Sequence, residues 1–139
     1  MNFYPILLSV HVVTAILGLG QIVGTAIVAT STSTNAPVAP GTLTALRRLG
    51  RGTGAALGIM LLSGVLLDYT SGGAFHKMLW YRISFLLLVA LGALQGGIRR
   101  TLRKVEREPD GRALRGVVRL SGAMCAVVAV IAILMEVKP

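Results

Sequence analysis

Two histidines and one methionine are the residues of this sequence best suited to hold a metal ion or a haem. His11 lies within a long apolar stretch, where an ionisable group is a functional-site hypothesis by default. His76 and Met78 lie in the run HKM, just before another apolar stretch. Two neutral imidazoles could ligate haem iron or copper, and Met78 could add a thioether. The pattern predicts His11 and His76 as ligands of haem b or copper, with a hydrogen-bonded His11 and a solvated His76 as the alternative.

Polar residues also form a seam along the first apolar stretch. Spacings of three and four place on one helix face the residues His11, Thr14, Gly18, Gln21 and Thr25. In lipid, such a face turns toward the interior of a bundle. We expect it to line a cofactor site or a solute path, or to bond to neighbouring helices. Gln95 falls at a depth similar to that of Gln21, so the two amides could bond across the bundle.

The elements that must position these residues are long apolar helices. No Lys, Arg, Asp or Glu precedes Arg47, and residues 52–67, 83–98 and 120–135 are each charge-free. Each of these three windows gives about 24 Å of helix, and snorkelling basic side chains extend the span. We predict a single all-α domain, an integral membrane four-helix bundle, with helices near residues 5–30, 45–69, 76–104 and 112–137. Thr42 or Thr44 is the expected cap of the second helix.

The basic residues indicate a topology. The formal net charge is +9, from 14 Lys and Arg against 5 Asp and Glu. Eleven of the basic residues lie in the first and third loops: Arg47, Arg48, Arg51, Arg99, Arg100, Arg103, Lys104, Arg107, Arg112, Arg115 and Arg119. The other side has Lys77, Arg82 and Lys138. The positive-inside rule predicts an up-down-up-down bundle in the bacterial inner (cytoplasmic) membrane, N-out and C-out, with the lipid bilayer and not nucleic acid as its partner.

Small residues at helix-packing spacing suggest close contacts. Three GxxxG pairs occur in the first three helices: Gly20 and Gly24, Gly54 and Gly58, and Gly92 and Gly96. Glycine lets helix backbones approach and supplies van der Waals packing in lipid. We therefore expect these glycines to face other helices, in a tight bundle, a homo-oligomer or a larger membrane complex.

Motifs of soluble enzymes are missing from the sequence, so enzymatic activity is not the favoured interpretation. The chain has no GxSxG, HExxH or Walker loop. The first hypothesis is a haem- or copper-associated redox or metal-handling bundle with its site near the outer face. The alternatives are an oligomeric channel or small-solute transporter, and an accessory subunit of a larger membrane complex.

The layout loosely resembles small bacterial four-helix proteins of the CopD-like and DUF2269-like kind. The resemblance rests on the first helix LLSVHVVTAILGLGQIVG, the basic entry RRLGRGTG, the ending LLSGVLL of the second helix and Trp80 at the start of the third. It implies that His11 is the first-helix histidine of the family and that copper or haem binds at the outer face. The Trp and Pro-Arg signatures of the related haem-biosynthetic oxidases are missing from the first helix, so the resemblance does not extend to oxidase activity.

Overall fold

The chain folds into four long helices. In the computed structural model, which describes residues 3–32, 38–107 and 111–137, these are α1 (Tyr4–Ser31), α2 (Pro40–Thr70), α3 (Leu79–Arg107) and α4 (Gly111–Val137). The described residues contain no strand. The all-α prediction with four helices is confirmed. Lys138, which the charge argument places on the outer side, lies outside the described residues.

The second helix begins five residues earlier than predicted. Its first residue is Pro40, preceded by Ala39 in an extended conformation, and no side chain caps the helix. The fixed φ of proline suits the first position of a helix, where its missing N–H costs nothing. The expected threonine cap is therefore wrong, and Thr44 instead donates its hydroxyl to the carbonyl oxygen of Pro40 at 3.0 Å, within the helix.

A tight turn joins α2 to α3. Gly72 and Gly73 have φ values of 72° and 74°, a left-handed conformation that glycine adopts without strain. The Asp68 carboxylate then accepts the main-chain N–H groups of Phe75 and His76 at 2.8 and 3.0 Å. These bonds hold the backbone in a turn, so α3 begins at Leu79, three residues later than predicted.

Each helix packs against two others. The neighbours are α1 with α2, α2 with α3, α3 with α4, and α4 with α1. Contacts between α1 and α2 pair Gly24 with Leu49, Gly18 with Ala56 and His11 with Ser63. Residue numbers in these contacts therefore rise along α2 as they fall along α1. Similarly, Arg47 contacts Glu106 and Gly64 contacts Tyr81 between α2 and α3.

The best-buried part of the core lies at one end of the bundle. We call it the basic end, because it contains Arg47 and Arg99; the turn end contains the turn at residues 71–78. Five apolar residues in the described part of the chain have no exposed surface, and all lie toward the basic end: Ala29, Leu46, Val105, Leu114 and Val117. Leu67 and Ser63, toward the turn end, keep 7% and 3% of their surface exposed. Apolar burial is therefore most complete at the basic end.

All four helices are long and apolar enough to cross a membrane. Large apolar side chains are exposed along the outside of the bundle, including Ile16, Leu62, Leu86 and Ile133. A soluble protein of this size would bury such side chains or form an interface with them. The chain therefore has the character of a multi-pass membrane protein.

Candidate functional site

His11 lies at the contact between α1 and α2, toward the turn end. Its Nδ1 is 2.7 Å from the hydroxyl oxygen of Ser63, and that hydroxyl donates to the main-chain oxygen of Met60 at 3.1 Å. A hydroxyl has one proton, so when Ser63 donates to Met60, His11 Nδ1 carries a hydrogen and donates to Ser63. The ring thus faces the bundle and has a polar partner. A role of His11 as a ligand stays a prediction.

Gly64 admits side chains from two neighbouring helices. A Cβ at Gly64 would lie 3.6 Å from Cε1 of His11. Tyr81 of α3 donates its hydroxyl to the Gly64 carbonyl oxygen at 3.3 Å. Sequence reasoning did not identify Ser63 or Gly64 as site residues. The signal available was the run LLSGVLL, in which these two residues alone lack a large apolar side chain.

The side chains of His76 and Met78 both have polar partners in or next to the turn. Nδ1 of His76 lies 3.2 Å from the Asp68 carboxylate, which also accepts the main-chain N–H of His76. The sulfur of Met78 accepts the indole N–H of Trp80 at 3.1 Å. Both side chains predicted as ligands therefore already have intramolecular partners.

The structure places the two histidines against different parts of α2. Their partners, Ser63 and Asp68, are five positions apart, about 7.5 Å of rise and about 140° of rotation on a helix. Two nitrogens on one ion, each about 2 Å from it, lie within about 4 Å of one another. Among the described residues, no group of three or more His, Cys, Asp or Glu side chains is placed to hold a metal ion. Haem or copper ligation by His11, His76 and Met78 stays a prediction.

Two other residues of the α1 seam pack against α2: Gly18 contacts Ala56, and Gln21 contacts Gly52. Thr14 and Thr25 are buried, and Thr25 donates its hydroxyl to the carbonyl oxygen of Gln21 at 2.8 Å. The Gln21 side chain lies over Gly52, where a Cβ would be 2.6 Å from its Nε2. The buried Oε1 of Gln21 has no hydrogen-bond partner within the described part of the chain. The seam joins two helices, and the solute path stays a prediction.

Gln95 bonds to the main chain of α2. Its buried Nε2 donates to the carbonyl oxygen of Gly50 at 2.6 Å. Arg99, one turn further along α3, donates to the same oxygen at 3.4 Å and lies over Gly54. Because Gly50 and Gly54 have no side chains, both donors reach this carbonyl. The predicted bond between Gln95 and Gln21 is not formed, because α1 and α3 are not neighbours and the buried Oε1 of Gln21 has no partner in the described residues.

The six glycines predicted to pack against helices fall into two groups. A Cβ at Gly24 would lie 3.7 Å from Leu49, and Gly54 lies beneath Arg99. A Cβ would meet nothing within 4 Å at the other four positions, Gly20, Gly58, Gly92 and Gly96. These four glycines do not make the predicted close contact within the bundle, because GxxxG spacing puts two glycines on one face without fixing how near the next helix lies. Their contact in an oligomer stays a prediction.

Other glycines make the close helix contacts. A Cβ would lie 3.2 to 3.3 Å from a neighbouring side chain at Gly18, Gly50, Gly97 and Gly116. The respective neighbours are Ala56, Gln95, Leu120 and Thr101. These positions set the distance between helices, and none belongs to a predicted pair.

A groove runs between α2 and α3. Its volume is about 410 Å³, and glycines of both helices line it: Gly54 and Gly58 of α2, and Gly92 and Gly96 of α3. Its apolar walls are Leu57, Leu61, Leu88 and Val89, with Gln95 and Arg99 toward the basic end. Gly58 and Gly92 are exposed, so the groove opens on the outer surface of the bundle.

The described residues thus offer two candidate sites. The first is the polar cluster of His11, Ser63 and Tyr81 toward the turn end. The second is the groove between α2 and α3. No protein-family model, curated protein or solved structure matches the chain, so both candidates rest on geometry alone.

Proposed function

We propose that the chain crosses the bacterial inner membrane four times, up-down-up-down, with both termini outside. The residue pairings between neighbouring helices, which run in opposite directions, support this arrangement. The clustering of eleven of the 14 Lys and Arg in two loops supports the orientation. In a Cys125→Ala background, Asn2→Cys should react with a membrane-impermeant maleimide from outside. Glu106→Cys should react only after permeabilisation, and the reverse pattern would contradict the orientation.

We further propose that the protein binds a hydrophobic ligand from the bilayer in the groove between α2 and α3. The observation that carries the proposal is the pair of facing glycine walls. A Cβ at Gly58, Gly92 or Gly96 would meet nothing within 4 Å. Apolar walls without partner atoms lose dispersion contacts, which an apolar ligand restores. Membrane ligands commonly bind between helices of a bundle, in sites that are apolar with a few polar groups.

Photocrosslinking in vesicles tests this function. The probe is a phosphatidylcholine with a diazirine in its acyl chain, and the crosslinked residues are found by mass spectrometry. Gly58→Leu fills the groove, whereas Gly20→Leu alters an equally open glycine on α1 and serves as the matched control. Crosslinks on the groove residues should survive Gly20→Leu and disappear in Gly58→Leu. Unchanged crosslinking in Gly58→Leu would contradict the proposal.

A second candidate function is the binding of haem or copper near the outer face, with His11 as a ligand. It is favoured by the half-buried imidazole of His11, held by Ser63 inside the bundle, and by the resemblance to CopD-like and DUF2269-like proteins. The absorption spectrum and metal content of the purified protein test it. A Soret band or stoichiometric copper that His11→Ala removes and Cys125→Ala retains would support this function. A colourless, metal-free protein purified from haem- and copper-supplemented cells would contradict it.

A further inference from the structure

The shape of the groove restricts what it can hold. Its α3 wall runs from Leu88 to Arg99, eleven residues or about 16.5 Å at 1.5 Å per residue. The space between the two helices is left by the missing side chains of the glycines that line it. A helix about 10 Å across could only rest on its surface. An unbranched hydrocarbon chain, whose carbons approach their neighbours at about 4 Å, can lie within it. The shape of the groove therefore suits an extended acyl chain.

The charge at one end of the groove restricts the ligand further. Arg99 is an exposed residue, and the single hydrogen bond of its guanidinium in the described residues is the 3.4 Å bond to Gly50. Glu106, a carboxylate of the same helix end, is 2.8 Å from Arg47 and so already paired. Arg103 lies one turn beyond Arg99 on the same side of α3 and is also exposed. Arginines that have no carboxylate partner, at the end of an apolar groove, are suited to bind a phosphate.

We propose that the groove holds one acyl chain of an anionic phospholipid, whose phosphate is bound by Arg99 and Arg103. The inference rests on the proposed function of the groove and adds the class of ligand. The acyl chain lies along Gly92 and Gly96 of α3, against Gly58 of α2. Any side chain larger than hydrogen at these glycines would narrow the path. The anionic lipid belongs to the cytoplasmic leaflet, where basic residues near the membrane surface bind such headgroups.

Native mass spectrometry tests the proposal with the full chain in a neutral detergent. The probes are phosphatidylglycerol and phosphatidylcholine with identical acyl chains. We expect the wild-type protein to bind phosphatidylglycerol about tenfold more tightly, because both headgroups carry the phosphate but the cationic choline of phosphatidylcholine is repelled by the two arginines. Arg99→Gln should remove this preference. Arg100→Gln is the matched control, because this neighbouring arginine is exposed but does not line the groove, and it should keep the preference.

The outcomes separate the ligand class from the function. Equal binding of both lipids by the wild type, abolished by Gly58→Leu, would overturn the anionic preference and leave the groove as a binding site. Equal loss of preference in Arg99→Gln and Arg100→Gln would show a diffuse charge effect and would also overturn the inference. Binding of neither lipid, with a dimer that Gly58→Leu abolishes, would mean that a second copy covers the groove, which overturns both proposals.

Discussion

The contact of Gly18 with Ala56 gives a sharp test of how α1 packs on α2. A Cβ at Gly18 would lie 3.2 Å from the Cβ of Ala56. Carbon atoms prefer about 3.5 to 4.0 Å, and neither Cβ can move without its helix. Gly18→Ala should therefore push the two helices apart by a few tenths of an ångström. Gly20→Ala is the control, since its Cβ would meet nothing within 4 Å.

The expected magnitude follows from two opposing effects. Replacing glycine with alanine in a helix stabilises by about 0.8 to 1.0 kcal/mol at either position. Overpacking costs about 1 to 3 kcal/mol, and only at Gly18. Gly20→Ala should thus stabilise the protein slightly, and Gly18→Ala should be about 1 to 3 kcal/mol less stable than Gly20→Ala.

Unfolding in mixed micelles, followed by circular dichroism as the fraction of denaturing detergent rises, measures this difference. The double variant Gly18→Ala with Ala56→Gly removes the opposing Cβ and should recover most of the overpacking cost, a direct coupling between the two positions. Equal unfolding free energies for Gly18→Ala and Gly20→Ala would refute the packing argument. So would a double variant whose effects are additive.

Three further predictions concern the polar cluster, the turn and the exposed ion pair. Ser63→Ala should leave His11 without its partner and destabilise the bundle by about 0.5 to 2 kcal/mol, measured by the same unfolding assay; an effect below the assay error would contradict this bond. Gly73→Ala should cost more than Gly72→Ala in thermal melts. Both glycines have positive φ, but only at Gly73 would a Cβ lie 2.7 Å from the imidazole of His76. Equal losses of stability in the two variants would show that this ring moves away freely. Arg47→Ala should change stability by less than about 1 kcal/mol, because its ion pair is exposed, and a loss of several kcal/mol would require a buried role.

The sequence was sufficient to predict where the four helices lie, but not the residues at which they begin. Charge-free apolar windows locate four helices, because a span of the bilayer needs a run of apolar residues. They do not locate Pro40 or Leu79, since helix ends depend on local chemistry. Pro40 starts α2 by its fixed φ, and the Asp68 carboxylate delays α3 by bonding main-chain N–H groups in the turn.

The sites were predicted less well, because they depend on which faces of the helices meet. The polar seam correctly indicated that His11 faces inward, since a lipid-facing imidazole is costly. Its partner Ser63 could not be found, because a lone serine in an apolar run has many candidate neighbours. Arg99 served only as a topology signal in the sequence, yet it lies over Gly54 and at the end of the groove. Spacing alone gave no sign that Gly58 lines an open groove.

The concentration of fully buried side chains at the basic end has a consequence for local unfolding. Regions with few buried apolar contacts open with the lowest free energy. Local unfolding should therefore begin at the turn end, where Ser63 and Leu67 retain some exposure. It should not extend to Leu46 and Val105. The basic end of the bundle would act as a fixed base, relative to which the turn end can flex. Tolerance to substitution should follow the same gradient, lowest at the basic end and rising toward the turn.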